Sequence, residues 1–211
     1  MFNLDPITII SRLLTLLISF PAHEFAHAKT ADLFGDPTPR MYGRVSLNPL
    51  VHLDVFGAII FMATGFGWAK PVPVNPFALG KRSSAAYMLV ALAGPMTNLL
   101  LALLAAIPIR LGLLSPTSPG NLSYLYIFAY QFILYNLILA FFNLIPLSPL
   151  DGEKIADYIF PPSWAKVLDR IRPYGPVILM AFLFILPMVG IDVVGAVLYP
   201  PIQNLLNILV G

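Results

Sequence analysis

The sequence predicts an all-α polytopic membrane protein, and three observations carry that reading. Of the 211 residues, 58% are apolar and only 10% are charged. The mean hydropathy is +0.83, far outside the averages of soluble globular chains. Four apolar stretches, at residues 6–33, 83–114, 122–145 and 173–209, can each cross about 30 Å of hydrocarbon at ~1.5 Å per residue. Pro187, Gly190 and Asp192 mark a turn inside the last stretch, which therefore holds two crossings and makes about five transmembrane helices in all.

Taken in order, residues 1–5 carry no basic residue and no small-residue cleavage site follows them. No removable signal peptide is expected, and the first helix stays in the mature chain. The apolar run at 51–65 is about 22 Å long as a helix, too short for a full span, and reads as a short re-entrant or partial helix. Beyond it, Pro71, Pro73 and Pro76 exclude helix. A strand or small membrane-associated β-hairpin is expected there, with a plain loop as the competing reading. In a strand, Pro71 and Pro73 turn their missing N–H groups to one edge, and the other edge, served by Lys70, Val72 and Val74, can pair with an unwound substrate. Pro146 and Pro149 end the 122–145 helix, and a short helix over 152–159 follows. There are no internal repeats. The chain reads as one domain, 1–211, with a core at 6–153 and C-terminal helices at 154–211.

Charge sets the expected orientation. Lys29, Arg40 and Arg44 follow the first helix; Lys70, Lys81 and Arg82 precede the second; Lys154, Lys166, Arg170 and Arg172 follow the third. All three clusters are expected on the cytoplasmic side, while the uncharged 115–121 loop lies opposite. The N-terminus is then outside, with Arg12 against the trend. The 12 basic residues form no stripe interleaved with aromatics, so the lipid bilayer is an expected partner and nucleic acid is not. Cysteine is absent, which leaves any metal to His, Asp and Glu.

The chemistry concentrates in His23-Glu24-Phe25-Ala26-His27. This run holds two of the three histidines and lies inside an apolar segment. Residues four apart share a helix face, so both imidazoles can hold one zinc while Glu24 is placed to activate its water. Ionisable groups inside a membrane helix cost about 2.5 kcal/mol or more each, which argues against an accidental cluster. A catalytic zinc takes three protein ligands, and Asp151, Asp54 and His52 are the candidates for the third. Asp151 reaches the same side as the histidines by the charge-based topology, with Gly152 permitting a tight turn beside it; its competing role is to cap the 152–159 helix. His52 is a third ligand, an orienting partner of a ligand, or a group satisfying local backbone. Asn98 and Asn143 are polar groups in apolar helices. Each either bridges helices or serves the site, Asn98 as an orienting partner of a ligand or a substrate contact and Asn143 as a donor to a developing oxyanion.

These residues resemble the site-2 protease family of intramembrane zinc metalloproteases. The matches are His23-Glu24-Phe25-Ala26-His27; Gly43-Arg44 and Leu47-Asn48-Pro49 with His52, Asp54 and Gly57; Lys70-Pro71-Val72-Pro73-Val74-Asn75-Pro76; Ala93-Gly94-Pro95 with Asn98; and Asn143 through Leu150-Asp151-Gly152. The resemblance implies one zinc per chain held by His23, His27 and Asp151, Glu24 as general base, and Asn143 at the oxyanion. It also implies regulated cleavage of transmembrane protein substrates; the chain departs from many relatives in leaving no room for PDZ or CBS domains, and a minimal member is expected. The expected setting is a prokaryotic cell membrane with the active site towards the cytoplasm, water entering by the Asp36-Pro37 and 71–76 loops, and homo-oligomerisation left open. The alternative is a non-hydrolytic metal-binding membrane protein or a metal transporter.

Overall fold

The computed structural model describes residues 5–211; the signal-peptide expectation rests partly on residues 1–4, which lie outside them. Among the described residues, five helices are long and apolar enough to cross a membrane: span 1 (Pro6–Leu33), span 2 (Ala86–Arg110), span 3 (Asn121–Asn143), span 4 (Pro162–Met188) and span 5 (Val193–Val210). Span 4 starts earlier than the expected residue 173, so Lys166, Arg170 and Arg172 lie in its first half. Spans 2, 3 and 5 share the main apolar core, where Ala102 and Ala106 let span 2 approach Ile133 and Leu137 of span 3. Leucines on the outer face of span 2, such as Leu100, Leu103 and Leu104, stay exposed, as a lipid-facing surface requires.

Local chemistry explains the ends. Asp5 accepts from the backbone N–H of Ile7 and Thr8 at 2.9 and 3.0 Å, and Pro6 sits in the first turn of span 1. A π-helical turn, Thr15–Ser19, lies just ahead of the His-Glu pair. The apolar run at 51–65 forms a short helix, Val55–Thr64, opened by the Asp54 side chain on Gly57 N–H and closed by Gly65 at φ +83°. Arg12, the residue at odds with the expected orientation, is buried and donates to the carbonyls of Met62 and Ala63 at 2.7 and 3.0 Å and to Tyr135 Oη. It neutralises the negative end of the short helix.

The expected β-hairpin is not found. Among the described residues the pairing is one isolated bridge, Leu53 with Ala69, plus Lys70 N–H on the His52 carbonyl at 2.7 Å. Pro71, Pro73 and Pro76 remove the donors that would extend a ladder. Arg44 and Asp36 hold this irregular segment instead. The buried Arg44 guanidinium donates to the carbonyls of Val51, Lys70 and Pro71 at 2.6, 3.1 and 2.9 Å, and Asp36 accepts from Asn75 N–H at 2.6 Å. A Cβ on Gly57 would fall 2.1 Å from the Trp68 carbonyl, so the loop lies directly on the short helix. Gly57→Ala is expected to cost about 1–3 kcal/mol by overpacking, lowering Tm by roughly 2–10 °C in a detergent thermal scan. Gly80→Ala, whose Cβ meets nothing within 4 Å, should not lower it.

Candidate metal centre

Span 1 presents His23 and His27 on its buried face, 7% and 8% exposed. Asp151 arrives from the far end of span 3, as the first residue of the helix Asp151–Ile159. Its side chain does not cap that helix; the N-cap is Leu150, and no side-chain bond caps the end. The Asp151 carboxylate turns to the histidines. His23 Nε2 and His27 Nε2 are 2.9 Å apart, and Asp151 Oδ2 is 3.2 and 3.1 Å from them.

The partners of the two Nδ1 atoms set which tautomer each imidazole takes. His23 Nδ1 lies 2.6 Å from Asn98 Oδ1, and His27 Nδ1 lies 2.7 Å from the Val90 carbonyl. Both partners are acceptors, so both Nδ1 atoms carry the proton and both Nε2 atoms present lone pairs. With both imidazoles neutral, three acceptor atoms thus meet at about 3 Å with no donor among them, an arrangement that repels itself unless a cation sits between. Tetrahedral zinc at ~2.0–2.1 Å from each ligand separates them by about 3.3 Å, close to what is observed. His23, His27 and Asp151 form a group able to hold a metal ion among the described residues.

Two glycines make the approach possible. A Cβ on Gly94 would lie 2.4 Å from His27 Nε2 and 2.5 Å from His23 Nε2. One on Gly152 would lie 2.3 Å from the Leu144 carbonyl. Gly152 is therefore needed for close contact with the end of span 3 and not for a tight turn, since it is an ordinary helical residue without positive φ. Pro95 has no N–H for the Ala91 carbonyl, and the Val90 carbonyl, one residue earlier, accepts from His27 Nδ1.

A cavity of about 500 Å³ opens on the triangle. Its walls are mainly apolar, from Phe20, Trp68, Leu139, Phe142 and, on span 4, Leu179 and Leu183. Glu24, Asn143, Val72 and Val74 also face it. Asn143 spends one amide hydrogen on the Leu139 carbonyl at 2.9 Å. Glu24 is half-buried, and its charge acts on Arg44, whose basicity is lowered first by burial and partly restored by Glu24. Span 4 is tied to the metal-facing helix by Arg172, which pairs with Glu153 and, at 2.6 Å, with Asp157.

Three expected residues lie elsewhere. His52 is fully buried with Nε2 donating to the Ser46 carbonyl at 2.7 Å, so it satisfies local backbone and is not in the donor group. Asp54 caps the short helix. Lys70 is exposed, and its backbone N–H and carbonyl serve His52 and Arg44. Asn98, expected to bridge helices, orient a ligand or meet substrate, orients His23. The sequence reading missed Arg44's role and missed Asn136, which accepts from Asn98 Nδ2 at 3.0 Å. The available signal for Asn136 was an amide in the middle of an apolar helix.

Two histidines of one membrane span and an aspartate just past the end of another make a metal-binding group of the metalloprotease kind, with an HExxH run on one helix. Among curated proteins, the chain is 39% identical over 181 residues to the candidate zinc metalloprotease YwhC of Bacillus subtilis (strain 168), covering 83% of this chain and 80% of that one. It is 33% identical over 168 residues to the similarly named MJ0611 of Methanocaldococcus jannaschii, covering 78% of each. It is 30% identical over 175 residues to the similarly named Rip2 of Mycobacterium tuberculosis, covering 81% of this chain and 65% of that one. No protein-family model matches the chain, and no solved structure matches it significantly. The chain belongs to the site-2 protease-like family of zinc metalloproteases.

Proposed function

We propose that the protein is an intramembrane zinc metalloendopeptidase of the site-2 type, hydrolysing peptide bonds in or near the transmembrane segments of membrane proteins. The observation that carries this reading is the convergence of three lone-pair donors on the wall of an apolar cavity, beside an uncommitted carboxylate, Glu24. His23, His27 and Asp151 would hold the zinc, which when bound would lower the pKa of water towards ~7 and polarise a carbonyl. Glu24 takes the proton from the attacking water and returns it to the leaving amine. Asn143 offers its remaining amide hydrogen to the oxygen on which charge develops.

A membrane helix hides its carbonyls in hydrogen bonds, so a substrate must unwind before attack. The Val72–Val74 side of the cavity, anchored by Arg44, is the surface on which the unwound segment rests. In this reading the Val55–Thr64 helix is re-entrant. The metal site faces the cytoplasm of a prokaryotic cell, with basic clusters on that side.

The test uses the full chain in liposomes with a panel of single-span membrane peptides. Cleavage is expected inside or at the edge of the apolar segment, mapped by mass spectrometry. A zinc chelator should abolish it, and stoichiometric zinc should restore it. Tight zinc binding without cleavage of any peptide would move the protein to the metal-binding or transport alternative.

A further inference from the structure

The zinc reading rests on His23 presenting a lone pair at Nε2, and that depends on a chain of amides reaching into span 3. His27 has no such dependence: its Nδ1 faces the Val90 carbonyl, which can only accept. His23 faces the Asn98 side chain, which carries both an acceptor and a donor on one rotatable amide. Turned over, the Asn98 NH₂ would face His23 Nδ1. The ring would then carry its proton on Nε2, pointing at the metal position.

We infer that Asn136 is a positioning residue that fixes the polarity of Asn98 and thereby the metal-binding tautomer of His23. The direction is set from a backbone carbonyl. Phe132 C=O can only accept, so Asn136 turns its Nδ2 to it, at 2.8 Å. Asn136 Oδ1 then faces span 2 and accepts from Asn98 Nδ2 at 3.0 Å. Asn98 Oδ1 is left for His23 Nδ1–H, at 2.6 Å. Reversing any one amide would put two donors or two acceptors face to face. Asn98 and Asn136 are both 0% exposed, so no bulk water can repair a mismatch. Asn136 reaches neither cavity nor donor group, yet its acceptor sets what His23 offers.

The test compares Asn136→Leu with Asn136→Asp by zinc competition against a chromophoric chelator, on apoprotein in detergent. Cobalt spectra and the histidine ¹⁵N NMR signals of His23 are recorded alongside. Leucine removes the acceptor and frees Asn98 to turn, so zinc affinity should fall about 10–100-fold, as for other partners of metal ligands. The His23 signals should show a mixed tautomer. Aspartate keeps an acceptor for Asn98; neutralised by burial, it also donates to Phe132, so affinity should stay near wild type. A packing role predicts the reverse order, since leucine suits an apolar helix and a buried carboxyl does not. That order, or equal losses for both, would overturn the inference.

Should Asn136→Asp fail to fold, Asn98→Asp supplies the second measure. Beside the His23 Nδ1–H and the bound metal, unlike at position 136, that carboxyl is held ionised and cannot present a donor to His23, so in that background Asn136→Leu should alter zinc affinity by no more than a factor of about two. An undiminished loss would equally overturn it. Failure of the wild-type protein itself to bind zinc would be a failure of the zinc reading, distinct from a wild type that binds zinc and a leucine variant that binds it equally well.

Discussion

Glu24→Gln is expected to lower peptide cleavage by about 10²–10⁴-fold while leaving one zinc per chain. Glutamine matches glutamate in size and can still accept a hydrogen bond from water, but it cannot take its proton. Glu24 is outside the donor group of His23, His27 and Asp151, so its loss removes no ligand. Its neighbours on span 1 are held independently by Asn98 and the Val90 carbonyl. Single-turnover cleavage of a reconstituted single-span substrate, with metal analysis of the same preparation, checks both halves. Activity above one tenth of wild type would remove Glu24 from the role of base. Equal loss of zinc and activity would make its role structural. Glu24→Asp sharpens the assignment: it retains a base but withdraws it by about one bond length, and a 1 Å misplacement alone costs roughly 10²-fold.

What could be read from the sequence was what local periodicity writes into it. The His23–His27 spacing names a helix face without any fold, and the lengths of the apolar runs give the spans. The His23 partner Asn98 is 75 residues away in sequence, and its own partner Asn136 is 38 residues further. Those contacts exist only once spans 1, 2 and 3 have packed, and nothing in either asparagine's neighbourhood announces them. Arg12 shows the same limit in reverse. As a lone charge in an apolar run it argued against the expected orientation, and packing reveals it as the counter-charge to a helix end. Proline was read correctly as excluding helix at Pro71 and Pro73, whereas Pro76 opens the helix Pro76–Arg82 behind the Asn75 cap, and the strand inferred from the run required a pairing partner. Arg44 supplies donors to those carbonyls where a neighbouring strand would have done so.

Gly94→Val is expected to cut zinc content below about one tenth of wild type while the protein still unfolds cooperatively. Val90, Gly94 and Asn98 are four residues apart and share one face of span 2. That face gives His27 its acceptor, both imidazoles their space and His23 its acceptor. A Cβ at Gly94 would lie 2.4 and 2.5 Å from the two Nε2 atoms, the atoms that must carry the metal. The rings cannot retreat without breaking the Nδ1 bonds that hold them to this same helix. Ordinary overpacking in a core costs about 1–3 kcal/mol and is relieved by small shifts. A zinc site tolerates only about 0.2 Å in its ligand distances, so the same shift costs the metal. Metal analysis after dialysis against a weak chelator, with a thermal scan, separates the two effects: the expected result is near-complete zinc loss with a modest fall in Tm. Wild-type zinc affinity in Gly94→Val would show that the imidazoles can rearrange around the metal, and that the close approach of span 2 is a packing feature alone.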